Sequence, residues 1–121
     1  MPRRLSPAPA AELAAALDAY AAGSDDKEVL RTLVKHFLAL LQRRAPGASV
    51  EVRVPPYAAV QVVPGVRHTR GTPPAVVEMG ASTWVDLATG RTTWADALAA
   101  GDVRASGERT DLTGFLPLDG D

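Results

Sequence analysis

Two short helical segments in tandem constrain the fold of this 121-residue chain more than any other feature. They read TWVDLATG over residues 83–90 and TWADALAAG over residues 93–101. In each segment the first threonine can accept a hydrogen bond from an early helical N–H. The side chain of the aspartate three residues later can in turn accept a hydrogen bond from the backbone N–H of the threonine. The closing glycine then supplies the left-handed residue that ends a helix. The pattern therefore predicts two short capped helices in succession, followed by a strand over residues 102–107.

Two further helices are predicted before the repeat. Residues 1–9 contain three prolines and are interpreted as a flexible tail, and residues 10–118 as a single domain. The Ala- and Leu-rich composition of residues 10–22 favours a first helix. A longer helix, capped by Ser24 or Asp25 and ending near Arg44, carries one apolar stripe with three-four spacing. Gln42 falls on the side opposite this stripe, and His36 flanks it.

The pattern between the long helix and the repeat indicates strands. Residues 49–54 alternate apolar and polar side chains, residues 57–63 resume extended structure after Pro55-Pro56, and residues 75–79 form a third apolar run. A short helix or turn is predicted over residues 110–116. The fold class is therefore α+β, with a mainly antiparallel sheet of about four or five strands covered by a long N-terminal helix and short C-terminal helices.

Composition excludes several classes of function. The chain has no cysteine, so thiol chemistry and thiolate metal sites are ruled out, and its two histidines lie outside any metal-ligand spacing. A formal charge of −1 without a basic stripe argues against binding to nucleic acid. No apolar run approaches the length of a membrane span. We expect a cytoplasmic protein with no catalytic residues, no metal and no cofactor.

Several motifs near the C-terminus resemble the sterol carrier protein family. They are the strand at residues 76–79, the two helical segments, the strand-and-turn DVRASG at 102–107, and the apolar stretch 112–118. The segments VEVRVPPY (50–57) and RHTRGTPP (67–74) look like a bacterial, actinobacterial-type branch of that family. The resemblance implies a helix-covered sheet with an apolar ligand groove, and it does not imply that the ligand is a sterol.

A set of large apolar side chains is the candidate lining of such a groove, beneath a C-terminal flap. Ordinary core packing is the alternative interpretation of the same residues, because any core needs apolar side chains at this spacing. The candidates are Phe37, Leu41, Val60, Val62, Trp84, Leu87, Trp94, Phe115 and Leu116.

A polar segment between the second and third strands is the candidate site for an anionic head group. Arg67, His68 and Arg70 lie within four residues of one another, and the planar guanidinium fork suits a carboxylate or phosphate. In the alternative interpretation, the two arginines pair with Glu51, Glu78 or Asp86 and only brace the loop.

We therefore expect non-enzymatic binding of an apolar small molecule, such as a lipid or an acyl compound, between the sheet and the helices. Two alternatives remain open. The same surface would serve a protein-interaction module or a homodimer. A similar small domain also occurs as an accessory part of thiol-dependent isomerases, and the resemblance extends to that role.

Overall fold

The computed structural model describes residues 4–65, 75–108 and 110–118. The elements in chain order are α1 (Ala10–Ala21), α2 (Lys27–Arg44), β1 (Val50–Val54), β2 (Ala58–Val62), β3 (Ala75–Met79), α3 (Ala81–Thr89), α4 (Trp94–Ala99), β4 (Val103–Ser106) and a 3₁₀ turn (Thr113–Phe115). The α+β class is confirmed. The last element is a single turn, so the short helix or turn expected there takes the shorter form.

Helix α2 has favourable residues at both ends. The Asp26 side chain accepts a hydrogen bond from the Glu28 N–H at 2.8 Å, so the cap lies one residue later than the latest position predicted. Arg43 and Arg44 occupy the last turn, where cations complement the helix dipole. Between these ends the apolar stripe is buried, as its three-four spacing indicates.

The two tandem helices begin differently from each other. Thr93 caps α4 as predicted, because its hydroxyl oxygen accepts from the Asp96 N–H at 3.1 Å. Helix α3 instead begins at Ala81 after Gly80, with no side-chain cap, so the prediction that Thr83 caps this helix is wrong. Gly90 ends α3 with φ +80°, the left-handed conformation that its position predicts.

The four strands form one open, mixed sheet in the order β2-β1-β3-β4. The outer pairs β1–β2 and β3–β4 are antiparallel, whereas the central pair β1–β3 is parallel, with Val52 opposite Val77. The expectation of a mainly antiparallel sheet is therefore only partly met. Strand β3 is parallel to β1 because it begins at the end of the sheet where β2 finishes and β1 starts.

One face of the sheet is buried and the other is open. On the inner face the valines of β1 and β2, together with Val77 and Met79 of β3, pack against the helices and are almost fully buried. The outer face carries side chains that are exposed or half-buried. These outer residues are Glu51, Arg53, Ala59, Gln61, Val76, Glu78, Arg104 and Ser106. The core thus lies in a single layer between the sheet and the helices.

Hydrogen bonds around Val63, a residue with a strained backbone, link the end of α2 to the residue that follows β2. Val63 has φ +71°, a left-handed conformation that a β-branched residue adopts at a cost of about 1–3 kcal/mol. Its N–H donates to the Ala45 carbonyl at 2.7 Å, and its own carbonyl accepts from the Ser49 hydroxyl at 2.7 Å. A Cβ on Gly47 would lie 2.2 Å from the Val63 oxygen, so only glycine fits there.

Residues 4–9, which we call the N-terminal strap, lie along α2. The Gln42 side-chain oxygen accepts from the Leu5 N–H at 2.9 Å, and Nδ1 of His36 accepts from the Ala8 N–H at 3.0 Å. Gln42 is therefore buried, and the prediction that it lies on the solvent side of α2 is wrong. The flexibility of residues 1–9 stays a prediction.

None of the helices within the described ranges combines the length and apolarity needed to cross a bilayer.

Candidate ligand-binding site

The structure brings all nine candidate apolar residues into one cluster between the sheet and the helices. Trp84, Leu41 and Val62 have no exposed surface. Leu87, Phe37, Val60 and Trp94 are between 1% and 6% exposed. Phe115 and Leu116 are half-buried and pack against the same cluster. The set is thus continuous, and its most accessible members belong to the C-terminal segment, residues 110–118.

Trp84 connects α3 to α2 at the centre of this cluster. Its indole N–H donates to the Val34 carbonyl of α2 at 3.3 Å, so the polar end of the ring has a partner although the ring is fully buried. Phe37 lies one turn further along α2, and its ring meets the His36 imidazole edge-on, with centroids 4.9 Å apart. Within the described ranges, the interior around Trp84 is therefore closed by its own side chains.

The C-terminal segment has two buried anchors with a more accessible stretch between them. Leu112 is 0% exposed and Leu118 is 1% exposed, whereas Phe115 and Leu116 are half-buried. The Asp111 side chain accepts from both the N–H and the hydroxyl of Thr113, at 2.9 and 2.6 Å, which begins the 3₁₀ turn. The Thr113 hydroxyl, then its N–H, lowers the pKa of Asp111 below the ordinary value.

Arg44, at the end of α2, holds this segment in place. One guanidinium nitrogen, Nη1, donates to the carbonyls of Phe115 at 2.9 Å and of Pro117 at 2.8 Å. On the other side, the Leu118 N–H donates to the Ala88 carbonyl of α3 at 2.8 Å. The C-terminal segment therefore bridges the ends of α2 and α3. The sequence pattern does not distinguish Arg44, since an arginine in the last turn of a helix usually complements the helix dipole.

The candidate head-group residues Arg67, His68 and Arg70 lie outside the described residues. Two of the acids proposed as their partners have interactions within the described residues. Glu51 pairs with Arg53 on the same strand, and Asp86 accepts a hydrogen bond from the Tyr20 hydroxyl at 2.8 Å. The assignment of the two arginines to an anion or to these acids stays a prediction.

Tyr20 fastens α1 to α3. Its hydroxyl lies 2.8 Å from an oxygen of Asp86 and 3.3 Å from the Ser82 carbonyl, and the Arg91 guanidinium lies 5.1 Å from the ring centroid. Burial, reinforced by the hydrogen bond to Asp86 and by its negative charge, raises the pKa of Tyr20 to about 12. The hydroxyl therefore remains protonated at neutral pH and acts as a structural donor.

A shallow depression of about 200 Å³ lies on the outer face of the sheet, over β3 and β4. Val76, Glu78, Arg104, Ala105 and Ser106 line it. Small-molecule pockets typically measure about 300–1,000 Å³ and are mostly apolar, so this open, charged surface is a poor match for a lipid chain. The apolar cluster on the inner face remains the better candidate.

Within the described ranges, no group of three or more His, Asp or Glu side chains is placed to hold a metal ion.

An open sheet covered on one face, with an apolar interior bridged by a C-terminal segment, defines a small two-layer α+β domain of the sterol-carrier-like class. The chain belongs to the bacterial SCP ortholog family, whose model matches residues 26–118. The match includes α2, the whole sheet, α3, α4 and the C-terminal segment, and it begins after α1. No curated protein matches the chain.

Proposed function

We propose that this protein binds and carries an apolar small molecule, with the hydrocarbon part held between the inner face of the sheet and the helices. Membership of a carrier-type family supports this proposal. The observation that carries it is the half-buried pair Phe115 and Leu116, which lies over the apolar cluster between two buried anchors.

The closed interior is compatible with a carrier, because an empty tunnel would be unstable. An empty cavity costs about 24 cal/mol per Å³, so about 400 Å³ of void would cost on the order of 10 kcal/mol. A whole domain is stable by only about 5–15 kcal/mol. A ligand must therefore displace side chains from the cluster as it binds.

In the proposed mechanism the C-terminal segment is the part that moves to admit the ligand. Besides its buried anchors, hydrogen bonds from Arg44 attach it to α2, and the bond from Leu118 to Ala88 attaches it to α3. Release of Phe115 and Leu116 would expose the part of the apolar cluster against which they pack without unfolding the sheet. An anionic head group would then bind Arg67 and Arg70.

The protein is proposed to act without catalysis and in the cytoplasm. Homodimerisation through the same surface, and an accessory role beside a thiol-dependent isomerase, remain the alternatives. Both would leave the apolar layer without cargo.

Native mass spectrometry of freshly purified protein tests the proposal, together with titration of a fluorescent long-chain fatty acid. We expect a monomer that retains an acyl-type molecule or binds the fatty acid at one site per chain. A dimer without cargo would favour the interaction module. A compact monomer that yields an empty organic extract and binds no fatty acid would contradict the proposal.

A further inference from the structure

The N-terminal strap is bound to α2 through its backbone. Leu5 donates to Gln42 at 2.9 Å and Ala8 donates to Nδ1 of His36 at 3.0 Å. Leu5 meets the later of the two helix positions and Ala8 the earlier, so the strap runs antiparallel to α2. This arrangement resembles the binding of an extended peptide more than the packing of a loop.

The donors and acceptors have matching spacings. Pro7 and Pro9 fix their own backbone and push the residue before each of them toward extended conformations. Pro9 has φ −56° and ψ 147°, which is polyproline II geometry. A polyproline II helix repeats about every three residues and rises about 9 Å in doing so, so a strap that keeps the geometry of Pro9 places the N–H groups of residues 5 and 8 about that far apart. Gln42 lies six residues after His36, which is also a rise of about 9 Å along an α-helix.

Both acceptors are buried beneath the strap. His36 is 7% exposed and Gln42 is 9% exposed, and Ser49 is the one other buried polar residue in the described part of the chain. A buried acceptor that loses its donor pays the full cost of its desolvation. A segment that covers this face of α2 must therefore supply N–H partners to two polar groups at a fixed separation.

The strap itself is lightly held. Arg4, Ser6 and Pro9 are exposed, and the other strap residues are only half-buried. Segments with few buried contacts open locally at much lower free energy than the core. The strap also precedes the part of the chain that matches the family, which begins at residue 26.

We propose that the face of α2 bearing His36 and Gln42 is a docking groove for an extended, proline-containing peptide. Residues 5–9 occupy the groove as an intramolecular ligand, and a segment of the same pattern from a partner protein displaces them. The partner segment has an apolar residue at the position of Leu5 and free N–H groups at the positions of residues 5 and 8. Prolines are accepted at positions 7 and 9, whose nitrogens bond to nothing in the groove. This proposal does not depend on the carriage of an apolar ligand.

A matched pair of proline substitutions in the full chain tests this groove. Ala8→Pro keeps the extended backbone, removes the N–H that His36 accepts and places the ring Cδ where that hydrogen lay, so the strap can no longer dock at His36. Ser6→Pro is the control, because no described partner accepts the Ser6 N–H. The probe is a capped, fluorescent peptide of residues 4–10 with the natural sequence.

We expect the Ala8→Pro chain to bind this peptide at least about fivefold more tightly than the natural chain does, because the competing strap loses at least one hydrogen bond. The Ser6→Pro chain should bind the peptide like the natural chain. Adding Gln42→Leu to Ala8→Pro should weaken binding about fivefold, because the acceptor of the peptide's Leu5 N–H is lost. Equal affinities for the Ala8→Pro and Ser6→Pro chains, no binding to either, or an affinity that Gln42→Leu leaves unchanged would overturn the proposal. Fatty-acid titration of the same variants reports separately on the apolar site.

Discussion

His36 is the residue through which pH acts on the N-terminal strap. Its Nδ1 accepts the Ala8 N–H, which requires that nitrogen to be unprotonated. Burial lowers the pKa of His36 below its ordinary value of 6.5. No charged side chain among the described residues contributes to this shift.

We therefore predict that acidification destabilises the folded chain through this histidine. As pH falls below about 6.5, the unfolded chain binds a proton at His36 before the folded chain does, so the free energy of unfolding decreases. Urea unfolding at pH 7.5 and pH 5.5 should show this loss in the natural chain, and a smaller loss in His36→Gln. The His68→Gln chain is the comparison, and it should keep the full loss. An undiminished loss in His36→Gln would show that another group is responsible.

A second prediction at the residue scale concerns the Tyr20 hydroxyl. Tyr20→Phe removes the bond to the Asp86 carboxylate and keeps the ring, so we expect the free energy of unfolding to fall by about 1.5–3 kcal/mol, the range for hydrogen bonds to charged groups. Because the pKa of Tyr20 is raised to about 12, the natural chain should also lose stability as pH rises from about 10 to 12, and the variant should lose less.

Tyr57→Phe is the matched control for this change. Tyr57 is half-buried, and its hydroxyl has no hydrogen-bond partner among the described residues. Chemical denaturation should leave its unfolding midpoint unchanged. Equal effects of the two substitutions would mean that the Tyr20–Asp86 bond contributes nothing to stability.

Among the elements, the C-terminal segment offers the clearest test of how a ligand is admitted. Arg44→Gln removes the guanidinium that holds the Phe115 and Pro117 carbonyls. Since hydrogen bonds from charged groups contribute about 1.5–3 kcal/mol, the segment should open about 10- to 150-fold more often. Hydrogen exchange at the Leu118 amide should accelerate accordingly, and a fluorescent fatty acid should associate faster.

Arg43→Gln is the control for this experiment. Arg43 lies next to Arg44 on α2 but is exposed, so both rates should match those of the natural chain. Faster exchange at Leu118 without faster association would show that the ligand enters elsewhere.

Most elements could be predicted from the sequence because their signals are local. The stripe of α2 and the alternation of β1 depend on spacing alone, and Gly90 ends α3 because few other residues tolerate a left-handed backbone. Thr83 misled because a threonine within the first turn of a helix resembles one that caps it. The parallel pairing of β1 with β3 has no local signal, since strand partners are chosen by the whole fold.

The residues discussed for the two candidate sites also fall into those with a local sequence signal and those without one. The apolar members could be predicted, because residues that share a periodic face also share the core. Arg44, His36 and Gln42 could not, because their partners lie 71, 28 and 37 residues away in the chain. In a helix pattern a polar residue beside an apolar stripe indicates solvent, and only the folded chain brings backbone groups of the N-terminal strap over it.

For the whole molecule, the closed apolar layer predicts a definite response to cargo. A ligand that binds only the folded chain stabilises it by about 2.7 kcal/mol when its free concentration is about 100 times Kd. The urea midpoint should therefore rise on addition of a long-chain fatty acid, and the methyl ester tests the contribution of the head group. A fluorescence change without any rise in the midpoint would indicate adsorption to the surface.

The open outer face of the sheet should matter little to this response. Gln61 is exposed on the face opposite the apolar layer, so Gln61→Lys should change neither fatty-acid affinity nor the midpoint.

Two consecutive residues at the end of α2 connect parts of the molecule that are distant in sequence. The Arg44 side chain holds the C-terminal segment, and the Ala45 carbonyl holds Val63, the strained residue just beyond β2. These two residues therefore form a common pivot. If the end of α2 shifted by even a fraction of an ångström, it would pull on the C-terminal segment over the apolar layer. It would pull at the same moment on the start of the polar segment between β2 and β3.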